Sequence, residues 1–79
     1  MSRYKKELND YIRQKMHSYR IDHAYSQERM AEIIHIAPRS YFDQEHGKYG
    51  FSALSFVMFL FSFPEEEMLE ILGELRSII

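Results

Sequence analysis

The sequence predicts an all-α domain of five helices, and three observations lead to this prediction. Apolar residues recur at steps of three and four near both ends of the chain, as they do on one face of a helix. Residues typical of helix starts and stops lie between these stretches, among them Ser26, Pro38, Gly47 and Ser52. The chain has only 79 residues and shows no internal repeat or linker. We therefore expect one domain spanning residues 1–79.

The first helix is predicted over residues 3–21. Apolar side chains there are spaced so that they share one face of an amphipathic helix. These side chains are Tyr4, Leu8, Ile12, Met16 and Tyr19. The other face is basic, and we interpret it as solvated, with an auxiliary contact to a nucleic-acid backbone as the alternative.

Two short helices are predicted within residues 26–47. Ser26 can accept a hydrogen bond from a free N–H of the first turn, and Glu28 suits the positive end of that helix. Pro38 favours the first position of the next helix because it has no N–H to lose there. This helix should run over residues 38–46 and end at Gly47. Two helices joined by so short a turn form a helix-turn-helix.

The last two helices are predicted over residues 52–63 and 64–79. Ten of the thirteen residues at positions 51–63 are apolar, so this helix has to be covered on all sides. Pro64, at the first helical position, and the three glutamates after it begin the last helix. Because so small a domain cannot cover both helices alone, we expect a homodimer. The predicted interface consists of Phe56, Phe59, Phe63, Met68, Leu72, Leu75 and Ile79.

Charge is distributed unevenly along the chain. Residues 1–50 carry nine Lys and Arg against seven Asp and Glu, whereas residues 51–79 carry one basic and five acidic residues. The weakly basic first part can approach phosphates, and the acidic second part should be held away from them.

Several classes of function are disfavoured by composition. The chain has no cysteine, which excludes disulfides and thiolate chemistry, and its four histidines lack the spacing of metal ligands. No serine has an evident base, so we expect no enzyme, no metal and no cofactor. The apolar run is shorter than the roughly 20 residues needed to cross a bilayer, and no signal peptide is visible. We expect a cytoplasmic protein without a membrane partner or an evident small-molecule effector.

The stretch of residues 26–48 resembles the Cro and lambda-repressor-like (Xre-like) helix-turn-helix family of bacterial and phage regulators. That family opens its motif with Ser/Thr-Gln, has an alanine in the first helix and an apolar residue in the turn, and closes with Glu-x-Gly-Lys. The matching residues here are Ser26, Gln27, Ala31, Ile36, Glu45, Gly47 and Lys48. The resemblance implies a five-helix, lambda-repressor-like DNA-binding domain whose second motif helix lies in the major groove.

The resemblance also implies which residues contact DNA. The exposed positions at the start and middle of the second motif helix reach base edges, and these are Pro38, Arg39, Phe42 and Asp43. Contacts to the DNA backbone are assigned to Ser26, Gln27, Ser40, Lys48 and Tyr49. Among these, Gln27 resembles the glutamine with which the family clamps a phosphate at a helix N-terminus.

Four positions in this motif leave alternatives open or depart from the pattern of the family. Arg39 can make a bidentate contact to guanine or pair with Asp43, and Phe42 can contact a thymine methyl group or another protein. Ala37 replaces the family's usual capping Ser or Thr. Gln44 stands where the family has a buried apolar residue, so either its amide finds partners or the helix lies differently.

The leading hypothesis is a homodimeric transcriptional regulator that binds a two-fold site on double-stranded DNA. Its half-sites should lie about 34 Å apart or a multiple of that distance. The rival hypothesis keeps the fold as a protein-interaction module that sequesters another regulator and does not bind DNA. The net charge of -2 and the presence of Phe42 and Asp43 on the reading face favour this rival.

Overall fold

The computed structural model describes the backbone of residues 2–79 and the side chains of residues 4–79. This part of the chain contains five α-helices and no strand, which confirms the all-α prediction. The helices are α1 (Ser2–Asp22), α2 (Gln27–Ile33), α3 (Pro38–Glu45), α4 (Ala53–Leu60) and α5 (Glu65–Ile78). Over the same residues, no helix combines the length and apolar character that crossing a membrane requires.

The predicted capping residues of α2 and α4 act as caps. The Ser26 hydroxyl accepts from the backbone N–H of Arg29 at 2.9 Å, and the Ser52 hydroxyl accepts from that of Ser55 at 3.1 Å. Ala37 precedes α3 without a side-chain hydrogen bond, as its methyl group dictates. Both hydroxyls satisfy N–H groups that the first turn of a helix leaves without a partner.

The end of α3 lies one residue earlier than predicted, at Glu45. Gly47 follows in the left-handed region with φ of 83°. Its N–H donates to the Gln44 carbonyl at 3.1 Å, and the Lys48 N–H donates to the Asp43 carbonyl at 2.9 Å. These two bonds form a Schellman motif, in which the glycine closes the helix by satisfying its last carbonyls.

The boundary between α4 and α5 also differs from the prediction. Helix α4 ends at Leu60 instead of residue 63, and Pro64 is the N-cap of α5 and not its first helical residue. The N–H groups of Ser62 and Phe63 each donate three residues back, at 3.0 and 3.1 Å. A proline disfavours the α conformation in the residue before it, which explains why the chain leaves the helix ahead of Pro64.

The core lies between α1, α2, α3 and α4. It is made of side chains that are almost completely shielded from solvent, namely Met16, Met30, Ala31, Ile34, Tyr41 and Phe59. Helix α5 packs on α1 and has one buried side chain, that of Ile71, and the Tyr11 hydroxyl donates to the Glu74 carboxylate between the two helices. Burial of a side chain as large as that of Met, Ile or Phe stabilises the fold by about 1.5–3 kcal/mol.

The positions of the predicted interface residues require one correction. Phe59 is fully buried inside the single chain, so it is unavailable to a second subunit. Phe56 and Phe63 are half-buried and pack against the core, and Met68 and Leu75 are also half-buried. An apolar helix gives no periodic signal that distinguishes its inner face, which is why the sequence placed Phe59 outside. The exposed members of the set are Leu72 and Ile79.

Two residues without a glycine's freedom adopt the left-handed conformation, one on each side of α2. Ala24 has φ of 55° in the connection from α1, and His35 has φ of 63° in the turn before α3. Residues with a Cβ occupy this region at a cost of roughly 1–2 kcal/mol. The direction of α2 is therefore set partly by two strained connections.

Candidate nucleic-acid interface

Helices α2 and α3 form the most extensive helix pair of the fold, and a short turn joins them. Ile34 is the C-cap of α2, and the Ile36 N–H donates back to the Ala31 carbonyl at 3.0 Å. Ala31 is almost fully buried, and its small side chain lets the following segment pack closely. The turn residue Ile36 is half-buried against the core, so the turn is held by both hydrogen bonding and apolar contact.

A buried carboxylate fixes the C-terminal end of α3. The Glu45 side chain is only 6% exposed, and the Arg20 guanidinium on α1 binds both of its oxygens at 2.8 and 3.0 Å. The Tyr41 hydroxyl and the Gln27 amide donate to the same carboxylate at 2.6 and 2.8 Å. His17 Nδ1 lies 3.3 Å from it. Glu45 thus connects α1, α2 and α3.

The ionisation of this cluster follows from its contacts. Burial alone would raise the pKa of Glu45, but the hydrogen bonds from Arg20, Tyr41, Gln27 and His17 outweigh burial and lower that pKa to about 2. Hydrogen bonding to Glu45 raises the pKa of Arg20. Burial, followed by the hydrogen bond to Glu45, raises the pKa of Tyr41. Arg20 and Glu45 are therefore both ionised at neutral pH, and Tyr41 donates its hydrogen bond as a neutral hydroxyl.

The opposite face of α3 is exposed. Tyr41 and Glu45 point inward, one helical turn apart, whereas the side chains at the start and middle of the helix face solvent. The exposed set comprises Pro38, Arg39, Ser40, Phe42 and His46. A short helix anchored by its inner face and exposed on its outer face can be inserted into a groove without rearrangement.

Arg39 projects from this face and is paired at the same time. Its side chain is 81% exposed, and its Nε lies 3.4 Å from Asp43 Oδ1 one turn later. The Asp43 side chain is only 15% exposed, which corrects the prediction that it is one of the exposed positions of α3. A helical pair of this spacing with an exposed arginine contributes about 0.3–0.5 kcal/mol, so the contact directs the guanidinium and adds little to stability.

The Phe42 ring stacks on His46 along the outer face of α3. The two ring centroids are 4.1 Å apart at an interplanar angle of 28°. His46 Nδ1 lies 2.8 Å from the Phe42 carbonyl oxygen, which holds the imidazole over the phenyl ring. The pair presents an aromatic surface next to Arg39.

Four residues predicted to contact DNA meet Glu28, a residue of the first turn of α2, at one shallow cleft of about 250 Å³. Its lining consists of Gln27, Glu28, Pro38, Arg39 and Phe42. Sequence reasoning assigned Glu28 only to the helix dipole, and the structure adds its carboxylate to the rim of the cleft. A polyanion approaching this cleft meets one arginine and one glutamate.

The predicted backbone contacts are divided between internal and external roles. Ser26 is engaged as the cap of α2, and the Gln27 amide already donates to Glu45. Ser40, Lys48 and Tyr49 are exposed. The Lys48 ammonium lies 5.5 Å from the centroid of the Tyr49 ring, so these two neighbours face the same side of their loop.

The cluster of Arg20 and Glu45 is the part of the site that the sequence did not reveal. The two residues are 25 positions apart, and only the folded chain brings them together. One signal was present: Glu45 follows Tyr41 by four residues, so both belong to the face of α3 that turns toward the core. The Gln44 amide oxygen is buried and has no hydrogen-bond partner, so the first alternative stated for that residue, an amide that finds partners, is not met at this oxygen.

No group of three His, Asp or Glu side chains within residues 4–79 is arranged to hold a metal ion. Comparison of the chain with protein-family models, with curated proteins and with solved structures found no match.

Proposed function

We propose that this protein is a sequence-specific DNA-binding regulator that inserts α3 into the major groove and acts as a homodimer. The observation that carries the proposal is the division of α3 into two faces. Tyr41 and Glu45 anchor one face to α1 and α2, while Pro38, Arg39 and Phe42 are left exposed on the other.

Each outer residue has a role in this proposal. Arg39 donates to the O6 and N7 atoms of a guanine, a contact worth about 1–3 kcal/mol of discrimination. Asp43 orients the guanidinium through its 3.4 Å contact with Arg39. Phe42 packs on a thymine methyl group, and the exposed Lys48 contacts a phosphate.

The Gln27 side chain supports a further contact to the DNA backbone. It has a second amide hydrogen besides the one that it donates to Glu45, and this hydrogen can be donated to a phosphate. Because Glu45 holds this amide at 2.8 Å, the glutamine is oriented before DNA binds.

Selection from a library of random double-stranded DNA tests the proposal, because the protein itself then picks out the sequence that it binds. We expect enrichment of two-fold sequences whose affinity falls as salt concentration rises. Arg39→Ala should weaken binding to the selected duplex about tenfold or more, since about 1.4 kcal/mol corresponds to a factor of ten.

The matched control is Arg29→Ala on α2. Arg29 is also an exposed arginine that pairs with an acid on its own helix, Glu32, but it lies outside the cleft around α3. Its loss removes the same charge and should change affinity much less than the loss of Arg39. Equal effects of the two substitutions would show that binding depends on charge alone and would contradict the proposed base contact.

A protein-interaction module is the second candidate, and the cleft itself favours it. Glu28 lies on the cleft rim, and the chain carries a net charge of -2. If no duplex is enriched at low salt, and a protein partner is retained in a manner that depends on Phe42, this candidate replaces the first.

A further inference from the structure

Helix α5 carries an exposed stripe that its own chain does not cover. Leu69 is 58% and Leu72 is 41% exposed, and Glu65 and Arg76 lie on the surface one turn before and after them. The four residues follow one another at steps of four, three and four. At 3.6 residues per turn, this spacing keeps them within an arc of roughly 60°.

The spacing of the four residues is the same read in either direction along the helix, and the two end residues carry opposite charges. When two such helices run antiparallel about a two-fold axis, Glu65 of one copy lies opposite Arg76 of the other. Leu69 of one copy then meets Leu72 of the other, and both contacts occur twice, as a two-fold interface requires. A parallel pair would instead place Glu65 on Glu65 and Arg76 on Arg76, which like-charge repulsion disfavours.

The residues that flank the stripe fit the same arrangement. Glu66 of one copy lies near Gly73 of the other, and the half-buried Met68 lies near Leu75. The three remaining glutamates of the helix, Glu67, Glu70 and Glu74, fall outside the contact. The strongly acidic α5 can therefore pair with itself without bringing two carboxylates together.

Gly73 supplies an independent observation. It lies in the middle of α5, where glycine is an unfavourable residue. A Cβ built on it would meet no atom within 4 Å, and its φ does not lie in the left-handed region. Nothing in the single chain therefore requires glycine there, whereas the close approach of a second helix does.

We propose that α5 pairs with α5 of a second copy in antiparallel orientation, through the stripe formed by Glu65, Leu69, Leu72 and Arg76. This inference specifies the homodimer included in the proposed function, but its observations involve neither α3 nor DNA. It also revises the predicted interface: Leu72 stays at its centre, Leu69 is added, and Phe59 is removed.

Charge exchange in the full 79-residue chain tests the pairing, with dissociation constants measured by sedimentation at several concentrations without DNA. Glu65→Arg and Arg76→Glu should each weaken the dimer about tenfold or more. The double substitution should return the dissociation constant to within about threefold of the unmodified chain, because it restores both ion pairs in reverse.

Glu67→Arg is the matched control. It makes the same charge change in the same first turn of α5, where a glutamate interacts with the helix dipole, but it lies outside the stripe. Both Glu→Arg changes bring the net charge of -2 to zero, which on its own favours association. A weaker dimer with Glu65→Arg and an unchanged or tighter one with Glu67→Arg is the expected result.

Cross-linking gives the orientation directly, since the chain has no cysteine of its own. Chains carrying Glu65→Cys and chains carrying Arg76→Cys should form a disulfide with one another when mixed and treated with a thiol oxidant, which accepts the two electrons. Chains with Glu65→Cys alone should not, because antiparallel pairing separates the two copies of that position by roughly 16 Å along the helix axis.

The outcomes separate this inference from the proposed function. A chain that is monomeric at every concentration, or a double substitution that fails to restore the dimer, overturns the α5 pairing even if DNA binding is found. A dimer that obeys the charge exchange but retains no duplex leaves the pairing in place and overturns the DNA proposal.

Discussion

The half of the molecule before residue 50 and the half after it differ in how they treat apolar side chains. Among residues 4–49, Met16, Met30 and Ile34 are fully buried, and the exposed large apolar side chains are Ile21, Phe42 and Tyr49. Among residues 51–79, twice as many large apolar side chains are exposed. These are Leu54, Val57, Phe61, Leu69, Leu72 and Ile79.

The two halves also differ in polar structure. The first half contains a buried ion pair with three additional hydrogen-bonding partners, around Glu45. Within residues 4–79, the ion pair that reaches the second half joins Lys15 to Glu74 at 3.7 Å, and it lies at the surface. Specific polar contacts therefore hold α3 in place, whereas α4 and α5 are held by apolar packing that leaves part of their apolar surface exposed.

The largest expected effect tests the difference between inside and outside on α4 and the turn that follows it. Phe59→Ala should lower the free energy of unfolding by about 3–5 kcal/mol, because it opens a cavity in the core. Phe61→Ala removes the same ring from a residue that is 69% exposed, and it should change the free energy of unfolding by about 0.5 kcal/mol or less. Urea unfolding followed by circular dichroism measures both at a concentration where the chain is monomeric. Equal losses would mean that the C-terminal half has no distinct inner face.

The second effect concerns the ion pair in the first half. Arg20→Met leaves the Glu45 carboxylate buried without its main partner, and we expect a loss near the lower end of about 3–5 kcal/mol because the arginine keeps some exposure. Adding Glu45→Gln to the same chain should recover part of this loss, because the uncompensated charge is then gone. A double substitution whose loss equals the sum of the two single losses would show that the residues act independently.

The third effect is a dependence on pH. The pKa of Glu45 is about 2 in the folded chain, against an ordinary value of 4.5, so the unfolded chain binds more protons between these values. The stabilisation is complete above about pH 5 and is lost as pH falls toward 2, by at most about 3 kcal/mol. Unfolding of the Glu45→Gln chain should be less sensitive to acid in this window. Glu32→Gln, which removes an exposed carboxylate, is the control and should leave the slope nearly unchanged.

The smallest effect concerns the start of α3. Ala37 occupies the N-cap position without a side-chain hydrogen bond, and Ala37→Ser should stabilise the chain by about 1 kcal/mol. The midpoint of thermal unfolding should rise by several degrees, since a domain of this size gains roughly 4–8 °C per kcal/mol. Ser52→Ala makes the reverse change in the other half, and its midpoint should fall by a similar amount. A midpoint unchanged by Ala37→Ser would show that the α3 start is already satisfied by other contacts.

The caps at the starts of α2 and α4 and the glycine after α3 could be predicted from the sequence because local chemistry determines them. Ser26, Ser52 and Gly47 act on N–H and carbonyl groups within a few residues of themselves. The contact of Arg20 with Glu45 could not be predicted in this way, because it depends on how α1 and α3 pack. The inner face of α4 was also hidden, because every face of that segment is apolar.

The candidate site was predicted in part. The outward positions of Pro38, Arg39 and Phe42 follow from the helical period once the ends of α3 are known. Of the two alternatives left open for Arg39, the structure shows the pairing with Asp43, and the contact to guanine stays a prediction. The internal use of Gln27 and the position of Glu28 at the cleft depend on the turn geometry, which no local pattern encodes.

The left-handed residues on either side of α2 have a consequence for how freely this helix can swivel. The backbones of Ala24 and His35 are strained in the folded chain, and glycine at either position would relieve this strain. Glycine would also widen the range of shapes open to the unfolded chain, so the two terms largely cancel in the folding equilibrium. Glycine would instead change the flexibility of the folded chain. The Cβ atoms of these two residues restrict the backbone of both connections, and without them α2 could change its orientation relative to its neighbours.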